Sequence, residues 1–212
     1  MKNIKAIIII LIAIILVIAL GFVVINNNNK SVDDKSNIKN DITESKITDL
    51  NSEKILVVYF SETGNTEKFA KLISDEVNGD FVKIETVKAY PKNIQELSDY
   101  AQEEKKNNAR PELKEINIDL DKYDTIFVGY PIWWYQMPMA MYTFFDSYNF
   151  DGKTIIPFNT HAGSGVSGTN DVIKSLEPKA NVLKSLAIQG SDMEQDQNST
   201  IKNWLSEIGL KK

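Results

Sequence analysis

The chain has 212 residues, a formal net charge of −5, no Cys and a single His, His161. That length suits one domain with an appendage, and the acidic balance argues against nucleic acid, whose phosphates need a basic surface. The absence of Cys excludes disulfides, thiolate metal sites and cysteine nucleophiles, and one His leaves no multi-histidine metal site.

Residues 6–25 carry no charged or polar side chain. Twenty helical residues span roughly 30 Å, the thickness of a bilayer core. A cleavable signal peptide, the alternative, has an apolar core of about 7–15 residues and a small-x-small site. Here the run passes through Gly21-Phe22-Val23-Val24-Ile25 into four Asn. Residues 1–25 therefore read as an uncleaved transmembrane anchor with the lipid bilayer as partner. Lys2 and Lys5 precede the span, so the rest of the chain is expected on the extracellular side. Residues 26–51 are polar, with Ile38, Ile42, Ile47 and Leu50 isolated among them. They read as a flexible tether, with a reach on the order of 30 Å.

From residue 52 onward strand and helix patterns alternate. Ile55–Phe60 is a β-branched-rich apolar run, read as the first strand. Thr66–Val77 follows as a helix with Phe69, Leu72, Ile73 and Val77 on one face. Phe81–Thr86 is the second strand, and Ile94–Asn108 a long polar helix ended by Arg110-Pro111. Thr125–Tyr130 is the third strand. A helix opens near Pro138, a residue suited to a first helical turn, and runs to Tyr148. Thr154–Asn159 is the fourth strand and Asn170–Leu176 a helix. A fifth strand lies near Ser185–Gln189, and a last helix covers Ser199–Ile208. This alternation argues for an α/β domain over 52–212, an open, doubly wound, five-stranded parallel sheet.

In such sheets a ligand sits beyond the carboxyl ends of the strands, at the switch in strand order. Three segments fall there. Ser61-Glu62-Thr63-Gly64-Asn65-Thr66 is a hydroxyl-rich loop opening a helix. Free N–H groups and the helix dipole favour an anion at such a place, and Ser61, Thr63, Asn65 and Thr66 add neutral donors. Glu62 is expected to face solvent. Pro131-Ile132-Trp133-Trp134-Tyr135-Gln136-Met137-Pro138 offers flat aromatic surface, of which one or two rings can face a ligand. Thr160-His161-Ala162-Gly163-Ser164-Gly165-Val166-Ser167-Gly168 offers backbone that can approach closely. Together they describe a site for a phosphorylated planar cofactor.

Gly163, Gly165 and Gly168 also spell G-x-G-x-x-G, but after the fourth strand and without an acidic partner about 20 residues on, so the dinucleotide reading fails its context test. Gly152-Lys153-Thr154 precedes a strand and reads as a turn rather than a Walker element. His161 has two readings, a loop-satisfying residue or a proton source beside the ligand. Tyr90, Tyr100 and Arg110 are rim or packing candidates. A phosphoacceptor domain would need carboxylates where Ser61 and Pro131 stand.

The string Ser61-Glu62-Thr63-Gly64-Asn65-Thr66 resembles the FMN phosphate loop of the flavodoxin family. Tyr130-Pro131-Ile132-Trp133-Trp134 and Thr160-His161-Ala162-Gly163-Ser164-Gly165 resemble the two loops that flank its isoalloxazine. The resemblance implies strand order 2-1-3-4-5 and non-covalent FMN. It implies a phosphate held at Ser61, Thr63, Gly64, Asn65 and Thr66. The ring would lie between Pro131, Ile132, Trp133, Trp134 and Tyr135 on one side and Thr160, His161, Ala162, Gly163 and Gly165 on the other. Many members carry a Gly in the loop after the third strand, where a peptide flip stabilises one-electron-reduced flavin. Residues 131–138 contain no Gly. The resemblance thus implies an electron-transferring flavoprotein, with a two-electron NAD(P)H or quinone reductase as the alternative. Its partners would be a redox protein or a quinone, and NAD(P)H in the reductase case. An acidic, apolar pocket would disfavour anionic reduced flavin and lower its potential. A cofactor-free interaction module on the same fold is the reading from another class.

Overall fold

In the computed structural model the described residues are 48–49 and 54–211. The segment read as a transmembrane anchor, and all of the tether except two residues that pair with the C-terminus, lie outside them. Among the described residues no helix is long and apolar enough to cross a membrane.

The strands are β1 (Thr48–Asp49), β2 (Ile55–Phe60), β3 (Asp80–Ile84), β4 (Thr125–Pro131), β5 (Thr154–His161), β6 (Asn181–Val182), β7 (Leu186–Gln189) and β8 (Leu210–Lys211). The helices are α1 (Asn65–Val77), α2 (Ile94–Lys106), α3 (Met139–Ser147), α4 (Thr169–Leu176) and α5 (Asn198–Glu207). The main sheet is parallel, in the order β3-β2-β4-β5, with β6 and β7 both on the outer edge of β5. Counted as five strands, this is the expected order 2-1-3-4-5. β1 pairs with β8 in parallel, Thr48 opposite Leu210 and Asp49 opposite Lys211. That pairing ties the end of the tether segment to the C-terminus of the domain.

β2 is buried along its whole length, as a central parallel strand covered on both faces must be. On one face Phe69, Ile73 and Val77 of α1 meet Ile201, Trp204 and Leu205 of α5 over Val57, Phe127 and Phe158. On the other, Leu97 of α2, Phe144 and Phe145 of α3 and Ile173 of α4 pack over Leu56, Val58 and Ile126. These two cores make three layers, and the β2–β4 boundary is the switch in strand order.

The fifth strand comes in two pieces where one was expected. Leu183 N–H donates to Ile155 O at 2.9 Å, so Ile155 presents its backbone to the fifth strand. By alternation Pro157 presents to the same edge, and it has no N–H to give. The ladder breaks there. Asn170 Nδ2 and Trp204 Nε1 hold the intervening carbonyls of Leu183 and Lys184, each at 2.9 Å. Other boundaries move by one or two residues. α2 ends at Lys106, before Arg110-Pro111, and β5 runs on to His161.

At the end of α4 the Glu177 carboxyl is pushed up to about 7, first by burial and then by the nearby Asp151 and Asp146. A raised carboxyl stabilises the fold below its unfolded value near 4.5. That contribution is lost as the pH rises through about 7. Glu177→Gln is therefore expected to match the parent at pH 4 and exceed it at pH 8. The gain should stay below about 1 kcal/mol, because the group is part-exposed and screened. Urea unfolding at the two pH values measures it, and equal differences at both would refute it.

Candidate functional site

The loop after β2 and the start of α1 form the first part of the site. α1 begins at Asn65 behind Gly64, whose φ of 88° is left-handed and suits Gly. Gly64 has no side chain to cap α1, and among the described residues its first-turn N–H groups have no side-chain acceptor; such groups seek an anion. Ser61 is buried and its Oγ accepts from Gly64 N–H at 3.2 Å. Thr66 is buried and its Oγ1 shares a 2.8 Å hydrogen bond with Thr160 Oγ1 on β5. Thr63 and Glu62 are exposed. The Glu62 carboxyl is nonetheless raised by partial burial, with Lys83 acting the other way. Asn65 folds its side-chain amide against Gly190, where an added Cβ would lie 2.7 Å from Nδ2.

The second part is the 131–138 segment. Ile132 N–H donates to Thr160 O at 2.8 Å, which locks this segment to the Gly-rich loop. Trp133 and Gln136 exchange both backbone hydrogen bonds, at 2.9 and 3.1 Å. Between them Trp134 and Tyr135 have φ of 49° and 62°. Two positive φ values in a two-residue hairpin are the type I′ pattern, which usually takes Asn-Gly. Each left-handed non-Gly residue costs about 1–2 kcal/mol. Trp134 Nε1 donates to Ser98 O at 2.9 Å, and Lys105 Nζ donates to Trp134 O at 2.6 Å. Both partners lie on α2, so the turn is strapped to that helix at two points.

Trp133 stands edge-on to Phe60 at 5.5 Å and to Tyr90 at 5.3 Å. Tyr90 is buried, and its OH donates to the buried Glu104 at 2.8 Å. Burial, the first cause, and that carboxylate raise the Tyr90 hydroxyl far above its ordinary value. Tyr90 is thus a packing residue beneath Trp133. Tyr100 and Arg110 line a separate hollow with Lys88 and Glu103, and Arg110 pairs with Asp146.

The third part is the 160–168 loop. His161 Nδ1 accepts from Gly163 N–H at 2.9 Å, which leaves Nε2 to carry the proton of a neutral ring. The loop-satisfying reading of His161 therefore has a visible partner. Tyr130 OH donates to Thr169 Oγ1 at 2.9 Å, and that hydroxyl donates to Val166 O at 2.7 Å, fixing the far end of the loop. Asn159 is fully buried and donates to Gly165 O at 3.2 Å, while its Oδ1 has no hydrogen-bond partner among the described residues.

A cleft of about 530 Å³ lies at this edge of the sheet, lined by Ile132, Trp133, Trp134 and Tyr135 on one side and Ala162, Gly163 and Ser164 on another. α2 supplies the remaining wall with Ile94, Leu97, Ser98 and Ala101. Of the residues expected at a ring, Pro131, Thr160, His161 and Gly165 fall outside this lining. Pro131 and Thr160 are opposite each other in the β4–β5 ladder. The α2 wall was missed. Its signal was the spacing of Ile94, Leu97 and Ala101, three apolar residues at helical intervals in a stretch otherwise read as polar. The lining holds no charged side chain, so the expected pocket is apolar but not acidic. Among the described residues no cluster of His, Asp and Glu could hold a metal.

The donor set fits FMN. An uncapped helix terminus ringed by hydroxyls suits a phosphate, and an uncharged aromatic cleft tied to it through Thr66–Thr160 and Ile132–Thr160 suits a flat ring.

Comparison with known proteins agrees with that fit. Residues 54–208 match the family profile described as Flavodoxin. A solved flavoprotein structure from Bacteroides uniformis ATCC 8492 is similar at 34% identity and TM-score 0.65, covering 73% of this chain and 98% of that one. One from Bacteroides eggerthii DSM 20697 is similar at 31% identity and TM-score 0.63, covering 75% and 99%. A flavoprotein from Lactobacillus acidophilus NCFM, solved in complex with FMN, shares the fold at 24% identity and TM-score 0.56, covering 68% and 97%. A search of the curated proteins finds no match. FMN, the expected cofactor, is the one that goes with the matched family, and the chain belongs to the flavodoxin family.

Proposed function

We propose that this protein is a membrane-tethered electron-transfer flavoprotein that holds FMN non-covalently. The observation that carries the reading is the uncapped N-terminus of α1, joined through Thr160 to an uncharged aromatic cleft. Ser61, Thr63, Asn65 and Thr66, with the backbone of Gly64, would hold the phosphate. Trp133 to Tyr135 and Ala162 to Gly163 would flank the ring and exclude water from it. FMN, when bound, supplies one- or two-electron redox chemistry. Residues 6–25 would anchor the domain on the extracellular side, within reach of a membrane redox protein or a quinone.

One observation favours transfer in electron pairs as a second reading. The 134–135 peptide is already held in a left-handed turn by Ser98 and Lys105, so a free peptide flip there is opposed. The test is purification with and without FMN, followed by anaerobic photoreduction. Retained yellow absorbance and quenched flavin fluorescence are expected. A colourless protein that leaves FMN fluorescence unchanged would sink the reading and leave the cofactor-free module. A paramagnetic signal at half-reduction selects single-electron carriage, and its absence selects transfer in pairs.

A further inference from the structure

The segment after the fifth strand stands outside the three loops assigned to the cofactor, yet it touches one of them. β7 ends at Gln189, opposite His161 in the β5–β7 ladder. Gly190 is the first residue beyond the sheet at this edge, and it opens the 3-10 turn Gly190–Glu194. That turn is fixed to the domain. Met193 is buried in the same core as Phe69 of α1, Gln197 Nε2 donates to Asp192 O at 2.8 Å, and Lys68 of α1 pairs with Glu194. Gly190 therefore has little freedom to back away from α1.

Gly190 faces Asn65, the first residue of α1. A Cβ built on it would lie 2.7 Å from Asn65 Nδ2 and 3.5 Å from Asn65 Cγ, with His161 O at 3.7 Å. A glycine supplies either backbone freedom or room for a close approach. Gly190 is not among the glycines with positive φ, so its backbone would accept a side chain. What it supplies is room, and the group that takes the room is the Asn65 amide. Among the described residues that amide has no hydrogen-bond partner. Contact with Gly190 rather than a hydrogen bond sets its place, and its two donors stay open to a ligand.

We propose that Gly190 is a positioning residue of the phosphate site: its missing side chain lets the Asn65 amide lie back against the 190–194 turn, the place from which it donates to the phosphate of FMN. This rests on the flavin reading. A methyl group at 190 would displace the amide, which is the far end of a flexible side chain, so the displacement costs the fold little. The consequence is selectivity. Phosphate is what separates FMN from riboflavin, so a residue acting only through Asn65 discriminates between those two and leaves the ring alone.

The test titrates FMN and riboflavin, by flavin fluorescence, into the full-length parent, Gly190→Ala, Asn65→Ser and the double variant. Gly190→Ala is expected to weaken FMN by about tenfold, the worth of a hydrogen bond to a charged group, and riboflavin by less than about twofold. Its melting temperature without flavin is expected to hold or rise, since Ala restricts the unfolded chain more than Gly. Asn65→Ser removes the amide and is expected to weaken FMN at least as much. With the amide gone the methyl group has nothing to displace, so Gly190→Ala is expected to add less than about twofold in the double variant. Unchanged FMN affinity in either single variant overturns the proposal, as do additive losses in the double variant. Equal losses of FMN and riboflavin in Gly190→Ala also overturn it, by showing a general distortion of the site. A parent that binds neither flavin is a different result and removes the flavin reading itself.

Discussion

Thr63→Glu is expected to cost FMN about two to three orders of magnitude in affinity, because a unit charge about 4 Å from another costs ~4 kcal/mol at an effective dielectric of 20. Thr63 lies exposed in the loop after β2, between Ser61 and Gly64, where a carboxylate would confront the phosphate. The same carboxylate lies at the positive end of α1, where it stabilises the helix. The melting temperature should therefore hold or rise slightly while the cofactor is lost, which separates binding from folding. Thr63→Gln removes the hydroxyl without adding charge and is expected to cost about 1 kcal/mol, the worth of one hydrogen bond. The gap between the Glu and Gln variants isolates the electrostatics, and it should narrow as salt is added, since the loop is exposed. Flavin fluorescence titration measures both. Equal FMN affinity in the two variants would mean that no phosphate sits at this loop.

The first strand, the loop after it and helix α1 were legible because their signals are local, whereas the strand order came with the family resemblance. A six-residue apolar run, a loop of capping residues and a helix with Phe69, Ile73 and Val77 on one face each declare themselves within a few positions. The 131–138 loop shows where local reading stops. It contains no Gly, yet Trp134 and Tyr135 both adopt left-handed φ. What overrides the local preference comes from Ser98 and Lys105, 36 and 29 residues away in the chain. The same holds for Tyr90. As a loop tyrosine beside a proline it suits a rim or a packing role alike, and Phe60, Trp133 and the buried Glu104 draw it inward. The break in the fifth strand sits between these cases. Pro157 is plain in the sequence, but its effect depends on which edge of β5 it faces, and that follows from pairing alone.

Gly129 tests how tightly the sheet that carries the site is packed. It lies on β4, two residues before Pro131, directly opposite Phe158 on β5. A Cβ at this position would fall 2.2 Å from Phe158 Cζ and 2.4 Å from Cε2. The ring cannot swing clear, because it is fully buried and packs edge-on against Phe69 at 4.9 Å. Gly129→Ala is therefore expected to destabilise the domain by about 3 kcal/mol, at the upper end of the range for overpacked cores. That corresponds to a fall in melting temperature of roughly 6–12 °C for a domain of this size. Phe158→Leu alone leaves a gap and should cost about 1–3 kcal/mol. In the double variant the new methyl group occupies part of that gap, so the two costs should fail to add by at least about 1 kcal/mol. Thermal or urea unfolding of the four proteins completes the cycle. Strict additivity would show that Phe158 is not what excludes a side chain at 129. FMN affinity in the same four proteins adds a second reading, since β4 ends in the aromatic turn and β5 in the Gly-rich loop. A clash between the strands displaces both walls of the cleft, so affinity and stability should fall together in Gly129→Ala and recover together in the double variant.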